Sequence, residues 1–152
     1  MIVYRIGSCP YIDDLSGKGA ALYGGRWNSK DTYMLYVAQS SALALLETVV
    51  HIGKIPPVGF CMATIEVPDN SVAVYPAETL PDNWYGSPPP DYLKAIGDRF
   101  ITEGRHLALK VPSVVMTEEY NYLINPAHKD FVKVKIVARR AVRLDERLFS
   151  KS

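Results

Sequence analysis

The hydrophobic residues of this chain fall mostly in short runs with the two-residue period, or the aromatic and branched composition, of β-strands. Glycine, proline, aspartate or asparagine residues bound these runs, as is usual where strands end. The runs predict strands at Met1–Ile6, Thr32–Ala38, Phe60–Val67, Val72–Tyr75, Leu107–Lys110, Ser113–Met116 and Phe131–Val137. In the last run apolar residues alternate with lysines, which predicts a half-buried strand with one solvated face.

Two longer stretches predict helices instead. Ala42–Ile52 is rich in alanine and leucine and follows two serines whose hydroxyls suit a helix N-terminus. It precedes Gly53, where we expect this helix to end. Tyr92–Glu103 has apolar residues at helical spacing and is followed by Gly104. The segments predicted as loops are Ser8–Gly25, with space for one helical turn, and the proline-rich Leu80–Pro90.

Two helices among six or more strands predict an α+β fold. A length of 152 residues suits one domain with a substantial core. The proline-rich loop is too short and too central to separate two stable domains. We therefore expect a single domain over residues 1–152.

The composition is that of an ordinary globular protein, with a net charge of +1 from 17 basic and 16 acidic residues. This balance argues against strong bulk attraction to nucleic acid or to an anionic membrane. No apolar run approaches the roughly 20 residues that span a bilayer. The N-terminus lacks the apolar run of a signal peptide, so we expect a cytoplasmic protein. Cys9 and Cys61 are too few for a zinc cluster or a disulfide framework, and we expect ordinary reduced thiols.

The most unusual local sequence is Tyr23-Gly24-Gly25-Arg26-Trp27-Asn28. The two glycines permit a ligand to approach the backbone closely, and Arg26 can present its planar guanidinium to a phosphate or carboxylate. Tyr23 and Trp27 can stack on a base or seal a pocket. Taken alone, the run fits a hairpin turn with a surface arginine and a core tryptophan better than it fits a binding site.

Glu47 is the one charged residue between Ala42 and Val50, in the most apolar predicted helix. Either it lies on a solvated face, or the helix is buried nearly all round and the carboxylate needs a partner or a chemical role. His51 lies four residues further on, on the same helix face. It can pair with Glu47 or remain a solvated residue at the helix end.

Other polar residues have simpler interpretations. Ser113 lies in an apolar run and is typical of a core hydroxyl that is hydrogen-bonded locally. Asn121, Asn125 and His128 are predicted to lie in a loop as turn-forming residues. Nothing near Ser113 has the order of a catalytic triad. The three histidines lack metal-ligand spacing, so we expect no metal site.

Taken in order along the chain, these runs resemble the RES domain. The resemblance rests on Tyr4-Arg5, Gly24–Asn28, Tyr36–Ala38, Ala44–His51, Leu80–Trp84, Val111–Ser113, Asn125–His128 and Asp145–Leu148. The family is named for an arginine, a glutamate and a serine, which are Arg26, Glu47 and Ser113 in this sequence. The resemblance covers nearly the whole chain.

This resemblance implies a bacterial toxin of a toxin–antitoxin pair, with a fold similar to the diphtheria-toxin-like ADP-ribosyltransferases: twisted β-sheets with a few flanking helices. It implies that the protein depletes NAD. We expect cleavage at the nicotinamide–ribose bond and, as our own hypothesis, water or phosphate as the acceptor. The residues then expected to be catalytic are Arg26, Glu47 and Ser113, and those expected to bind substrate are Tyr23, Trp27, Tyr36 and Asn125. The expected partner is an Xre-type helix-turn-helix antitoxin that blocks the active site in a hetero-oligomer.

Three other functions compete with this one. The protein can transfer ADP-ribose to a protein or nucleotide, because the chemistry up to nicotinamide departure is the same. It can be an inactive module that only docks with a helix-turn-helix partner, although the retained Arg26, Tyr36, Glu47 and Ser113 argue against that. Direct nucleic-acid binding is disfavoured by the near-neutral charge, and we interpret the basic residues at 133–143 as the solvated edge of strands.

Overall fold

A computed structural model describes residues 1–52 and 59–149 of the protein. Its strands are β1 (Ile2–Ser8), β2 (Leu35–Ala38), β3 (Phe60–Glu66), β4 (Val72–Val74), β5 (Ala108–Pro112), β6 (Tyr120–Ile124) and β7 (Lys135–Val142). Its α-helices are α1 (Lys18–Tyr23), α2 (Ser41–Ile52) and α3 (Asp91–Glu103). The strands form one mixed sheet in the order β4-β5-β6-β2-β1-β3-β7, in which only β4 and β5 run parallel. The predicted α+β class is confirmed.

The sheet opens between its two central strands. β1 pairs with β3 along its whole length, and all four residues of β2 pair with β6. Between β1 and β2, however, the register contains one pair, Tyr4 with Ala38. Beyond this pair, Arg5 and Ile6 of β1 and Leu35 and Tyr36 of β2 line a cleft instead of pairing with each other. The sheet therefore holds a fork at its centre.

The helices pack against this sheet through their apolar faces. Leu43 and Ala44 of α2 are buried against Ala38 at the paired end of β2. In α3, Leu93 and Phe100 join the core that contains Trp27 and Leu123. α2 thus covers the fork from one side, and α3 supports the segment that contains Trp27.

Both predicted helices are confirmed, with small shifts at their starts. The Ser40 hydroxyl accepts the N–H of Leu43 at 3.0 Å, which satisfies one of the free donors at the start of α2. The predicted end at Gly53 lies outside the described residues. α3 ends at Gly104, whose φ of 60° is the left-handed conformation that favours glycine. A short helix, α1, occupies the place where the first loop left space for one turn.

α2 is not buried all round, contrary to one of our two interpretations of its sequence. Only Leu43 and Ala44 are fully buried, and Val50 is 62% exposed. Val50 also lines the cleft. The apolar residues of α2 therefore lie on two surfaces: one packs on the core, and the other forms a wall of the cleft. Both surfaces are apolar, so the spacing of apolar residues along the helix does not separate them.

Two strand predictions near the C-terminus are wrong. Ser113–Met116 forms a turn, because the Ser113 hydroxyl accepts the backbone N–H groups of Val115 and Met116 and so replaces the ladder bonds of a strand. The segment containing Asn121, predicted as loop, is instead strand β6. The last strand is displaced from Phe131–Val137, since residues 129–133 form a 3-10 turn and β7 runs to Val142. β7 is an edge strand with mostly exposed side chains, as we expected for the basic residues.

The prediction of two reduced thiols is also wrong for this structure. Cys9 and Cys61 form a disulfide with a Cα–Cα distance of 4.8 Å. The cause is the antiparallel pairing of β1 with β3, in which Gly7 lies opposite Cys61 and Ser8 opposite Phe60. Because that pairing joins residues distant in the chain, cysteine spacing gave no indication of it. None of the helices in residues 1–52 and 59–149 combines the length and apolarity that crossing a bilayer requires.

Candidate active site

The cleft in the fork has a volume of about 480 Å³. The separated ends of β1 and β2 form its floor, and α1 with the following glycine-rich segment forms one wall. α2 forms the opposite wall through Glu47, Val50 and His51, and the segment after β5 closes one end. A cavity of this size accommodates a small-molecule ligand.

Glu47 extends from α2 at the junction of these walls. Its Oε1 atom accepts two hydrogen bonds, from the Ser113 hydroxyl at 2.9 Å and from the Asn121 side-chain amide at 2.7 Å. Its Oε2 atom has no hydrogen bond to the described residues. One carboxylate oxygen is therefore anchored, and the other remains available to a ligand in the cleft.

Ser113 is fully buried and its hydroxyl has a defined direction. The hydroxyl oxygen accepts the N–H groups of Val115 and Met116, both at 3.1 Å. Its proton is thus left to donate to Glu47. The Ser113 N–H also donates to the Glu119 carbonyl at 3.0 Å, which fixes the turn. Ser113 has no place as a nucleophile in this arrangement, because its hydroxyl is engaged on every side.

Asn121 is the residue at this site that sequence reasoning missed. It lies on β6 opposite Ala38 of β2, and it lines the cleft beside Glu47. Its position among two tyrosines and an apolar Leu-Ile pair has the aromatic and branched composition of a strand. This composition favours a strand. We predicted a loop instead because asparagine is common in turns.

Arg26 is held by the proline-rich loop. Its Nη1 atom donates to the carbonyl oxygens of Trp84 and Gly86 at 3.0 and 3.1 Å. Burial lowers the pKa of Arg26, while the charge of Glu47 and the Tyr36 hydroxyl act in the opposite direction. The guanidinium remains a cation at neutral pH because its ordinary pKa is so high. The predicted proline-rich loop therefore positions the arginine.

Tyr36 presents its ring to the cleft while its hydroxyl is used for structure. The hydroxyl donates to Asn28 Oδ1 at 2.7 Å and accepts the Trp27 N–H at 3.1 Å. Burial raises the pKa of Tyr36, so the hydroxyl stays protonated and keeps its donor role. A Cβ atom on Gly25 would lie 2.8 Å from both the Tyr36 hydroxyl and Asn28 Oδ1. Gly25 is needed because Tyr36 and Asn28 approach the backbone so closely.

The other predicted substrate-binding residues have different surroundings. Tyr23 lies on the cleft rim and is 81% exposed. Trp27 is buried and packs at a tilt against Tyr75, with 6.3 Å between ring centroids, so most of it belongs to the core. Asn125 does not line the cleft: its amide donates to the Ile101 carbonyl and its oxygen accepts the Ala127 N–H.

The structure thus brings Arg26, Tyr36, Glu47 and Ser113 together around one cleft and leaves Asn125 outside it. His51 lines the cleft but forms no hydrogen bond or ion pair with Glu47. In the two described ranges no three His, Cys, Asp or Glu side chains are grouped as metal ligands. The arrangement offers an oriented carboxylate, a guanidinium and an aromatic face in one cavity.

Comparisons with known proteins show which family of sequences this chain resembles. The family model described as RES domain matches residues 2–145. A Photorhabdus laumondii protein named Toxin Res is 36% identical over 151 residues, covering 97% of each chain. A Sphingobium protein named Prs ADP-ribosylating toxin is 40% identical, covering 92% of this chain and 89% of its own. A Yersinia enterocolitica Toxin Res is 38% identical, covering 86% and 88%.

A solved structure with lower sequence identity has a similar fold. A chain from the crystal structure of the M. tuberculosis MbcT–MbcA toxin–antitoxin complex superposes with a TM-score of 0.77. The match covers 93% of this chain and 83% of that one at 17% sequence identity. At that identity the match shows a shared fold and no more.

Proposed function

The chain belongs to the RES-domain family, and we propose that it is a toxin that cleaves NAD at the nicotinamide–ribose bond. The observation that carries this proposal is the state of Glu47: one carboxylate oxygen is anchored by Ser113 and Asn121, and the other is left open toward a cleft. The relatives named as toxins, one of them as an ADP-ribosylating toxin, support the same conclusion. We take the domain to extend over residues 1–152.

The chemistry needs one carboxylate and no general acid. In NAD the nicotinamide is already a cationic pyridinium, so the electron pair of the breaking bond returns to its ring nitrogen and a neutral molecule leaves. Positive charge then develops at the anomeric carbon of the ribose. A carboxylate beneath that carbon stabilises this charge, as in glycoside hydrolysis. In our proposal the open oxygen of Glu47 has this role, and Ser113 and Asn121 are positioning residues that act through Glu47.

The neighbouring groups fit the rest of the substrate. Arg26 offers charge-assisted hydrogen bonds to a phosphate or ribose oxygen. The ring of Tyr36 provides an aromatic face for the cationic nicotinamide. Tyr23, exposed on the rim, is placed to cover a ligand once bound. Water then adds to the anomeric carbon and loses a proton to solvent, or phosphate adds through one of its anionic oxygens.

Transfer of ADP-ribose to a macromolecule is the second candidate reaction. The printed name of the Sphingobium relative, an ADP-ribosylating toxin at 40% identity, favours it. Both reactions pass through the same departure of nicotinamide. They differ only in the group that attacks the anomeric carbon.

We propose an antitoxin as the physiological partner, of the Xre helix-turn-helix type, covering the cleft in a hetero-oligomer. Exposed apolar residues at the cleft mouth support this, since Tyr23 and Val50 are 81% and 62% exposed. The structural neighbour is itself from a toxin–antitoxin complex. Because NAD is an intracellular cofactor, the proposal places the toxin in the cytoplasm.

The test incubates purified protein with NAD labelled in its adenylate part, with and without cell lysate. The expected result is release of nicotinamide together with free ADP-ribose, or its phosphorylated form when phosphate is supplied. Label on a macromolecule would establish transfer as the reaction instead. Folded protein that leaves NAD intact under both conditions would overturn the proposal.

A further inference from the structure

Glu119 contacts both of the segments that hold the Glu47 carboxylate in place, although the proposed reaction does not involve it. It is the last residue before β6. Its Oε2 atom accepts a hydrogen bond from the Ser40 hydroxyl at 2.7 Å, across 79 positions of sequence. The Ser40 oxygen accepts the Leu43 N–H in turn and so caps the N-terminus of α2. The Glu119 side chain is therefore bonded to the capping residue of the helix that carries Glu47.

The backbone of Glu119 contacts the other segment. Its carbonyl oxygen accepts the Ser113 N–H at 3.0 Å, and its own N–H donates to the Met116 carbonyl at 2.9 Å. These two bonds close the turn at residues 113–119, which we call the Ser113 turn. It is the turn that directs the Ser113 hydroxyl toward Glu47. One residue thus contacts the Ser113 turn through its backbone and α2 through its side chain.

A pair of bonds beside Glu119 keeps the two segments in register. The Gln39 N–H donates to the Tyr120 carbonyl at 3.1 Å, and the Tyr120 N–H donates to the Gln39 side-chain oxygen at 2.8 Å. These bonds continue the pairing of β2 with β6 by one residue beyond Ala38. Ser40 and Glu119 are the next residues of the two segments, so the strand pairing brings their side chains together.

The surroundings of Glu119 distinguish it from its neighbour Glu118. Glu119 is half-buried, whereas Glu118 is exposed and accepts a hydrogen bond from the adjacent Thr117 hydroxyl at 3.3 Å. A carboxylate at the start of a helix is stabilised by the free N–H groups and the dipole there. The charge of Glu119 therefore favours the same contact with α2 as its hydrogen bond does.

We propose that Glu119 is a positioning residue, which fixes α2 relative to the Ser113 turn so that the Ser113 hydroxyl meets the Glu47 carboxylate. Their distance of 2.9 Å lies in the narrow range of an O–H···O bond, and a shift of α2 by about 1 Å would take it outside that range. Glu119 itself does not line the cleft. The inference rests on the proposed function, since it concerns the carboxylate on which that reaction depends.

The test compares steady-state nicotinamide release from NAD by Glu119→Ala and Glu119→Gln. Glu119→Ala removes the bond to Ser40, so kcat should fall by about tenfold or more, as small displacements of a reacting group cost. KM should change little, because Glu119 lies outside the cleft. Glu119→Gln keeps an oxygen that accepts the Ser40 hydroxyl and should restore most of the lost kcat. If kcat were as low in Glu119→Gln as in Glu119→Ala, the role assigned to this bond would be overturned.

The matched control is Glu118→Ala, which removes the same charged side chain from the neighbouring exposed position. It should have the kcat and KM of the wild type. Ser40→Gly removes the bond from its other partner with little loss of helix capping. It should lose kcat as Glu119→Ala does, and it decides the question if Glu119→Ala does not fold. Wild-type kcat in a folded Glu119→Ala or Ser40→Gly protein would overturn the proposal.

A double-mutant cycle distinguishes positioning from a general loss of packing. In Ser113→Ala, the hydroxyl that Glu119 brings to Glu47 is already absent. Glu119→Ala should therefore lower kcat much less in that background than in the wild type. An equal loss of kcat in both backgrounds would show that Glu119 does not act through Ser113, contrary to the proposal.

The failure of this inference and the failure of the proposed function give different results. If the wild type cleaves NAD and Glu119→Ala matches Glu118→Ala, the positioning role fails and the reaction stands. If the wild type never releases nicotinamide, the reaction fails, and NMR of the Asn121 side-chain amide decides the positioning role. That amide donates to Glu47 at 2.7 Å, so its resonances should shift in Glu119→Ala and stay in place in Glu118→Ala. Unshifted resonances in Glu119→Ala would overturn the proposal.

Discussion

The Ser113 hydroxyl and the Glu47 carboxylate are joined at 2.9 Å across 66 positions of sequence. The hydroxyl receives two backbone N–H groups from its own turn, so its direction toward Glu47 is set by the backbone. Glu47 in turn lies on α2, whose buried face is fixed on the sheet through Leu43. The orientation of a single carboxylate thus depends on a turn and a helix that are far apart in the chain.

The first prediction concerns the charge of Glu47. Glu47→Gln keeps an oxygen that can accept from Ser113 and Asn121, so the fold should persist, as circular dichroism would show. It removes the negative charge that stabilises the developing cation, so we expect nicotinamide release to fall by two orders of magnitude or more. The matched control is Glu118→Gln at an exposed position, which should retain full activity. Equal rates for the Glu47 variant and the wild type would exclude Glu47 from catalysis.

The second prediction uses Asn121 to distinguish positioning from mere packing. Asn121→Asp replaces the amide 2.7 Å from Glu47 Oε1 with a second carboxylate. A second carboxylate this close raises the pKa of one member of the pair, because like charges oppose each other's ionisation. We therefore expect the acidic limb of the rate-against-pH profile to move to higher pH by about one unit or more.

The control for Asn121 is Asn70→Asp, which makes the same change in an exposed loop and should leave the profile in place. Asn121→Ala should lower kcat more than it raises KM, since in our proposal Asn121 touches Glu47 and not the substrate. If the profile of Asn121→Asp coincides with that of the wild type, the contact has no role in the reaction.

The sequence predicts a site residue well when the reason for it lies among its immediate neighbours in the chain. Glu47 was noticed because a carboxylate on an apolar helix is unusual, and Arg26 because two glycines precede it. These are local signals, and the structure places both residues at one cleft. Ser113 has no such local signal, and it was predicted as a site residue through the resemblance to the RES domain.

Features that depend on strand pairing were not predictable in the same way. Asn121 meets Glu47 only because β6 pairs with β2, and Cys9 meets Cys61 only because β1 pairs with β3. Asn125 was expected to bind substrate on the family motif alone, and it holds a turn outside the cleft. The one-pair contact of Tyr4 with Ala38, which opens the fork, has no signature in the sequence of either strand.

The third prediction separates the ring of Tyr36 from its hydroxyl. Tyr36→Phe leaves Asn28 Oδ1 and the Trp27 N–H without their partner in a buried setting. We expect the free energy of unfolding to fall by about 1–3 kcal/mol, measured by urea denaturation at pH 7. The KM for NAD should change little, because the aromatic face remains. A large rise in KM with unchanged stability would instead assign the hydroxyl to substrate binding.

The pH dependence of this effect follows from the raised pKa of Tyr36, which burial causes. In the unfolded chain the tyrosine ionises near its ordinary value of about 10, while the folded protein keeps it protonated to higher pH. Its contribution to stability is therefore complete below about pH 10 and is lost as the pH rises above it. The stability difference between wild type and Tyr36→Phe should narrow from about pH 10 upward. A constant difference would show that the hydroxyl titrates alike in both states.

The fourth prediction concerns the anchoring of Arg26. Arg26→Lys keeps a positive charge but cannot donate to the Trp84 and Gly86 carbonyls and still present two parallel donors to a phosphate. We expect the KM for NAD to rise by about tenfold, with a smaller change in kcat. Arg99→Lys is the matched control and should have wild-type kinetics. Unchanged affinity and turnover in Arg26→Lys would return Arg26 to the status of a structural residue.

The last prediction tests the packing that carries Arg26 to the cleft. Gly97 of α3 lies against the segment containing Trp27, and a Cβ atom there would fall 1.7 Å from the Trp27 carbonyl oxygen. That oxygen is backbone and cannot swing aside, so Gly97→Ala must move either α3 or the segment that contains Arg26. We expect a loss of about 3 kcal/mol or more in unfolding free energy, at the upper end of overpacking costs. The control is Gly19→Ala in α1, where the added Cβ would meet nothing within 4 Å apart from the adjoining backbone of its own helix. Since alanine favours a helix over glycine, that variant should be as stable as the wild type or up to about 1 kcal/mol more stable. Wild-type stability of Gly97→Ala in thermal and urea unfolding would mean that α3 does not press on the Trp27 backbone.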